Sequence, residues 1–250
     1  LTRGYGTRPN SDPMGCVTSG SARASADTIG DDPALILRRA PKVIIVKGVD
    51  RVAAAHAAIE QHECNVLILD DGFQYLRLSR DENILVVDAS NPFGNGHVLP
   101  RGILREPVES AARATHVLFT HCDRVHTDDL EKLRARLESL CPNCETRSTY
   151  HAPEKLWKVK DGAALELDKL RGANVVAACA IAKPESFVAT LESLGANVVE
   201  RRFFPDHAQI PPDALKSESM VLVTEKDAVR LRECPDNVYA LGIRLTDWPE

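Results

Sequence analysis

The sequence predicts an α/β protein: a three-layer sheet followed by a second, smaller α/β lobe, with a β-hairpin linking the two. Three observations carry this. Short apolar runs alternate with segments of helical periodicity through most of the 250 residues, a pattern that implies parallel strands joined by right-handed crossovers. Between residues 147 and 170 it gives way to two extended stretches around Asp161-Gly162, which is a hairpin signal. A second alternating set then follows. The expected boundaries are 1–146 for the main lobe, 147–170 for the hairpin linker and 171–250 for the smaller lobe.

Residues 1–33 are rich in Gly, Ser, Asp and Arg and read as loops. Val43–Val46 is a short β-branched run. Asp50–Glu63 reads as a helix, with Asp50 at the N-cap and alanines at helical spacing. Val66–Leu69 is a continuous apolar run, predicted to be a strand buried on both faces and ended by the turn residue Gly72. Further strands are expected at Ile84–Val87 and His116–Phe119. Leu130, Leu133, Leu137 and Leu140 are spaced for a helix over Asp128–Leu140. In the second lobe Val175–Ile181, Val198–Val199, Met220–Val223 and Val238–Ile243 read as strands, and Pro184 opens a helix running to Leu194.

Composition narrows the function classes. With 31 basic and 36 acidic residues the formal charge is 31 − 36 = −5, so no net positive field exists to attract nucleic acid phosphates. The longest apolar run, Val175–Ala182, falls well short of the roughly 18 residues a membrane-spanning helix needs. The seven cysteines are odd in number and scattered, as in a reducing compartment. Their one close pair, Cys141-Pro-Asn-Cys144, lacks the further ligands of a structural zinc site and reads as a loop between a helix and a strand. The chain starts at Leu1 without a signal-peptide pattern and is expected to be a piece of a longer protein.

Several clusters carry candidate chemistry. Asp70 and Asp71 follow the apolar run, on the rim where open α/β sheets bind ligands and where a strand-end Asp holds Mg²⁺ beside a nucleotide phosphate; the same pair also reads as a turn with a cap. Arg3, Gly4, Tyr5 and Gly6 form a loop able to bring backbone N–H groups and a guanidinium to an anion, or simply to turn. In Gly30-Asp31-Asp32-Pro33, Pro33 is expected to open a helix with the acidic pair at its start, as ligands or as caps. Residues 91–107 form a long Gly- and Pro-punctuated loop carrying Arg101, Arg105 and Glu106, of a kind that is usually functional. Asp206-His207 pairs an imidazole with a carboxylate, suited to proton transfer, or is an exposed loop histidine with no such role. Thr224-Glu225-Lys226-Asp227 reads as a charged loop before a helix.

The order and wording of these clusters resemble the tetraacyldisaccharide 4'-kinase family. That family's patterns are approximately L-S-R-G-Y-G, G-D-E-P, L-D-D-G-F-Q-H, L-P-x-G-x-L-R-E-P, F-x-D-H-H and T-E-K-D-A-V. They correspond here to Leu1–Gly6, Gly30–Pro33, Leu69–Tyr75, Leu99–Pro107, Phe204–Ala208 and Thr224–Val229, from the first residue almost to the last.

The resemblance implies a P-loop-kinase-like fold and transfer of the ATP γ-phosphate, with Mg²⁺, to the 4'-hydroxyl of an acylated glucosamine disaccharide 1-phosphate at the cytoplasmic face of the inner membrane. It implies that Asp31 is the general base, partnered by His207 beside Asp206. It puts Asp70, Asp71, Gln74 and Glu106 around metal and phosphate, with Arg3, Gly4, Tyr5, Gly6, Arg101 and Arg105 toward substrate and phosphate. Thr2 and Asp32 replace Ser and Glu with the functional group kept, whereas Tyr75 and Ala208 replace histidines. No G-x-x-x-x-G-K-[ST] occurs in these residues. In the family it lies upstream of L-S-R-G-Y-G with a membrane-associating segment, so this chain alone is expected to bind ATP poorly. The alternatives are a non-catalytic nucleotide or glycolipid binding module of the same fold, and a metal-dependent hydrolase using Asp70, Asp71 and His207.

Overall fold

The computed structural model describes residues 1–2, 14–17 and 26–249. The loop of Arg3, Gly4, Tyr5 and Gly6 lies outside the described residues. The elements in chain order are β1 (Met14–Val17), α1 (Ala26–Ile29), α2 (Asp31–Arg39), β2 (Ile45–Gly48), α3 (Arg51–His62), β3 (Ile84–Asp88), β4 (His116–Thr120), α4 (Thr127–Leu140), β5 (Glu145–Lys158), β6 (Ala164–Leu165), β7 (Asn174–Cys179), α5 (Pro184–Ser193), β8 (Asn197–Phe203), β9 (Met220–Thr224), α6 (Glu225–Ala228) and β10 (Val238–Asp247). The fold is mixed α/β. Packing divides it into two compact units, Leu1–Asp70 with Pro153–Ile243, and Asp71–Ala152 with Arg244–Glu250. The boundaries expected from element order lay instead at 146 and 170; the strands β5 and β10 are long enough to give residues to both units.

The first unit holds the strand order β10-β9-β7-β8, parallel throughout, with β5 beside β10 and the short β6 antiparallel to β5. Residues alternate across its strands. Val175, Ala177 and Cys179 of β7 pack with Phe187, Val188 and Leu191 of α5, whereas Val176, Ala178 and Ala180 pack on the other side with Ile210, Leu215 and Ala228. A sheet covered on both faces is the three-layer arrangement its near-continuous apolar strands predict. The hairpin between β5 and β6 turns at Asp161-Gly162, where Gly162 takes φ 75°. A separate antiparallel pair, β1 with β2, lies in the same unit with α1, α2 and α3.

Asp50 caps α3 as expected, its carboxylate accepting from the N–H groups of Val52 and Ala53. The segment after α3 corrects an expectation. Val66–Leu69 is not a buried strand: Val66 and Ile68 are 74% and 79% exposed, and no regular strand is formed there. It is tied to the first residue of the chain, since the Leu1 ammonium donates to the Ile68 carbonyl at 2.6 Å and the Asp70 N–H donates to the Leu1 carbonyl at 3.0 Å, and Leu67 packs on Val46, Ala54 and Ala58. An apolar run reports a hydrophobic environment but not the layers that supply it, and among the described residues nothing covers its outer face.

The second unit builds on β3, β4 and the first part of β5, parallel and in register. Val87, Val117 and Phe119 meet Leu130, Leu133 and Leu137 of α4 in one core, while Ile84 and Val86 on the opposite face are more than half exposed. Cys141 and Cys144 lie in the loop between α4 and β5 as free thiols with their sulfurs 2.8 Å apart. Burial and the neighbouring thiol push Cys141 up to about 12.

Asp88 ends β3, His121 follows β4 and His151 lies on β5. His121 Nδ1 is 3.2 Å from Asp88 Oδ1, and its Nε2 is 3.2 Å from His151 Nδ1. Burial foremost, then the nearby His121 and Arg124, hold His151 below its ordinary value of 6.5. The folded protein therefore keeps His151 neutral at pH values where the unfolded chain has begun to protonate it. Its stability contribution is present above the unfolded value and is lost as pH falls below it. Unfolding free energy measured in urea is expected to decline from about pH 7 to about pH 5, and His151→Gln should flatten that slope.

Candidate functional site

Two predicted residues meet in the first unit across 176 positions of sequence: His207 Nδ1 lies 2.8 Å from Asp31 Oδ2. Local structure fixes each of them. Gly30 adopts φ 98° ahead of α2, a conformation that glycine takes without a Cβ penalty. The helix then begins at Asp31, two residues before the Pro33 expected to open it. Pro33 is accommodated because N–H groups of a first turn have no intrahelical partner to lose. The Asp31 side chain is only 12% exposed. His207 sits in a turn with φ 62°, its own N–H donating to the Ala180 carbonyl at 3.2 Å.

A carboxylate only accepts hydrogen bonds, so the shared proton belongs on His207 Nδ1 and leaves Nε2 as the ring's acceptor. Asp206 is 3.8 Å from that Nε2 and half-exposed, so its hold on the ring is weak. Asp32 points away from the pair, 3.3 Å from the Lys226 ammonium.

Sequence reasoning missed the residues behind this pair. Thr224-Glu225-Lys226-Asp227 reads as a charged loop, yet Asp227 is 1% exposed. Its carboxylate accepts from Thr224 Oγ1 at 2.5 Å, from the Ala180 N–H at 3.2 Å and from Arg230 Nη2 at 3.1 Å. Burial pushes the Asp227 carboxyl up, opposed by the Thr224 hydroxyl and the Arg230 charge. Arg230 Nε lies 3.5 Å from Asp31 Oδ2. Glu225, also buried, is held by Arg39 and by Lys155 at 3.3 Å.

Asp70, in the same unit, accepts from Thr2 Oγ1 at 3.2 Å, and its carbonyl receives Arg51 Nη1 at 3.2 Å. Thr2 is itself fixed to β2 by its N–H to the Val46 carbonyl and by the Gly48 N–H to its own carbonyl, both at 3.1 Å.

The second unit holds Asp71, Gln74, Arg101, Arg105 and Glu106. Asp71, at φ 48°, receives Arg105 Nη1 on both carboxylate oxygens, at 2.6 and 2.7 Å. Glu106 accepts from Arg113 at 2.5 Å, and that guanidinium also lies over the Phe73 ring. Gln74, Arg105 and Glu106 line a cavity of about 270 Å³ together with Asp88, Asn91 and Phe93. The loop of residues 91–107 is ordered by its own backbone: the Leu99 N–H donates to the Leu104 carbonyl, and that of Leu104 to His97. Gly102 is fixed by close approach, since a Cβ there would lie 2.1 Å from the His97 carbonyl oxygen and from Asn95 Oδ1. Arg101 lies at the tip of this loop, exposed, its carbonyl capped by Asn95 Nδ2 at 2.8 Å.

Among the described residues no three His, Cys, Asp or Glu side chains converge as a metal cage. Mg²⁺ does not require one, because it is held by one or two carboxylates with waters and substrate phosphates. The oxygen donors of Asp70, Asp71, Gln74 and Glu106 are of the type it takes. Among the described residues no helix is long and apolar enough to cross a membrane.

Comparison with known proteins shows the family and the fold. The model of the tetraacyldisaccharide-1-P 4'-kinase family, LpxK, matches residues 1–247. A tetraacyldisaccharide 4'-kinase of Anaeromyxobacter dehalogenans (strain 2CP-C) is 42% identical over 98% of this chain and 66% of its own length. One of Pelobacter propionicus is 33% identical, over 98% of this chain and 69% of its own. The crystal structure of the "apo" form of LpxK from Aquifex aeolicus in complex with ATP superposes with a TM-score of 0.76 at 27% identity, covering 99% of this chain and 73% of that one. The chain thus spans about two thirds of the length of the curated relatives it matches. It belongs to the tetraacyldisaccharide-1-P 4'-kinase family.

Proposed function

We propose that the protein to which this chain belongs transfers the γ-phosphate of ATP to the 4'-hydroxyl of a tetraacyldisaccharide 1-phosphate, a step of lipid A biosynthesis, and that this chain supplies the acid–base pair and the carboxylates of the site. The observation that carries the reading is the 2.8 Å contact between Asp31 and His207, which joins two of the family's motifs in one dyad. A sugar hydroxyl is a poor nucleophile. Phosphoryl transfer to it needs in-line positioning, neutralisation of phosphate charge and a group to receive the hydroxyl proton.

Asp31 is the proposed base. Both of its side-chain contacts fall on Oδ2, so Oδ1 is the oxygen proposed to take the hydroxyl proton. His207 orients the carboxylate through Nδ1. Asp70, Asp71, Gln74 and Glu106 are the residues proposed to hold Mg²⁺, which would supply charge neutralisation on the phosphate oxygens when bound. Arg105 is proposed to exchange Asp71 for phosphate, since a guanidinium matches either anion with the same fork. Arg3, Gly4, Tyr5, Gly6 and Arg101 are the further residues proposed to meet substrate or phosphate. An acylated substrate implies peripheral contact with the inner membrane.

A binding module without kinase activity is the second reading. Its support is that Asp71 and Glu106 already hold Arg105 and Arg113 rather than standing open. Arg105→Ala separates the two. In a kinase it should raise the KM for ATP and lower transfer by about 10-fold or more, the scale of one lost charge-assisted contact. In a module that merely binds, freeing Asp71 should leave the protein without transfer activity, as before. The measurement is ADP formation dependent on the lipid acceptor.

A further inference from the structure

The guanidinium of Arg230 reaches the two backbone carbonyls around the His207 turn and lies beside the Asp31 carboxylate. Its Nη1 donates to the Ala208 carbonyl at 2.7 Å, directly after His207. Its Nη2 lies 3.5 Å from the Ala180 carbonyl, the same oxygen that receives the His207 N–H. Nη2 also donates to Asp227 Oδ1 at 3.1 Å. The remaining nitrogen, Nε, is buried, makes no hydrogen bond among the described residues and faces Asp31 Oδ2 at 3.5 Å. The side chain as a whole is 9% exposed.

This is more than a buried ion pair with Asp227. That pair alone would need one nitrogen, whereas the fork reaches the His207 turn on both sides. His207 holds φ 62°, a left-handed conformation that a non-glycine residue keeps only where its surroundings over-determine it. The carbonyls of Ala180 and Ala208 bracket that strained residue, and one guanidinium holds both. The same cation lies beside the oxygen to which the imidazole donates, so it sets where Asp31 Oδ2 sits as well as where the ring sits.

We propose that Arg230 is a positioning residue for the Asp31–His207 dyad, fixing the His207 turn and the Asp31 carboxylate together from the buried anchor Asp227. For its effect on the reaction this rests on the kinase reading; the geometry it describes does not. Lysine would keep the charge, but a single ammonium cannot span both carbonyls and both carboxylates with the fork's geometry.

The test uses the full-length protein with Arg230→Met and Arg230→Lys. Arg230→Met is expected to lower kcat by about 30- to 100-fold, the scale of a misplaced reacting group, with the KM for ATP and for lipid acceptor unchanged within about twofold. Arg230→Lys should recover most of that loss but stay about three- to tenfold below wild type. The ¹⁵N shifts of the His207 imidazole should report a hydrogen-bonded Nδ1–H in wild type and a weakened one in Arg230→Met. A folded Arg230→Met protein with wild-type kcat overturns the proposal. Should Arg230→Met not fold, Arg230→Lys decides: a lowered kcat at unchanged KM supports positioning, and wild-type kcat with only a lowered Tm makes Arg230 purely structural. If wild type transfers no phosphate, the kinase reading fails, and unaltered His207 ¹⁵N shifts in the folded variants would separately overturn the positioning role.

Discussion

Asp31→Asn in the full-length protein is expected to lower kcat for phosphate transfer by about 10³-fold, roughly 4 kcal/mol of barrier. The substitution is nearly isosteric, and the N-cap of α2 is Gly30, with no side-chain capping bond from Asp31 to lose, so α2 should persist. Two things change. The amide cannot accept a proton from a sugar hydroxyl at neutral pH, and its NH₂ group competes with the His207 Nδ1–H that now donates to Oδ2 at 2.8 Å. Binding of ATP should be largely untouched, because Asp31 is proposed to act on the hydroxyl and not on the nucleotide. Steady-state kinetics with both substrates varied distinguishes this from a general loss. A fall in kcat with both KM values preserved is the signature of an interaction made in the transition state.

Asp227→Ala is expected to produce the largest loss of stability, about 3–5 kcal/mol, the cost of leaving a buried charge without its partner. The carboxylate is 1% exposed and accepts from Thr224, Ala180 and Arg230. Among the described residues, removing it leaves the buried Arg230 guanidinium with Asp31 as its remaining nearby anion and takes away the acceptor of the Thr224 hydroxyl, while the Thr224 cap on the residue-227 backbone N–H is retained. Asp206→Ala is the control. That half-exposed carboxylate stands 3.8 Å from His207, and an exposed ion pair contributes about 0–1 kcal/mol. Urea unfolding of the two variants should therefore separate widely, although their residues flank the same dyad.

Most of the fold was legible because its elements carry their own local signals. Asp50 announces α3 with a side chain that caps it, the leucine spacing of α4 sets the face that enters the core, and Asp161-Gly162 turns the hairpin. Val66–Leu69 failed for a physical reason. Its apolar run is the pattern of a strand buried between layers, but burial is a property of neighbours, and here Val66 and Ile68 face outward.

The site divides in the same way. Asp31 and His207 stood out through family motifs, since no spacing argument brings together residues 176 positions apart. Arg230 did not stand out: Thr224–Asp227 read as a charged loop before a helix, and only the burial of Asp227 and Arg230, at 1% and 9%, distinguishes them. The pairings of Asp71 and Glu106 were equally silent. Arg105 adjoins Glu106 in sequence yet binds Asp71, while Glu106 takes Arg113.

The most direct measurement follows the γ-phosphate itself. Full-length protein is given γ-labelled ATP, Mg²⁺ and tetraacyldisaccharide 1-phosphate, and the label is located after separation of lipid, nucleotide and inorganic phosphate. Label on the 4'-oxygen of the disaccharide, formed with ADP and lost in Asp31→Asn, is the expected result. Label released as inorganic phosphate whether or not lipid is present, or no turnover by protein shown to be folded, would contradict the assignment of Asp31 and His207 as the dyad of a lipid kinase.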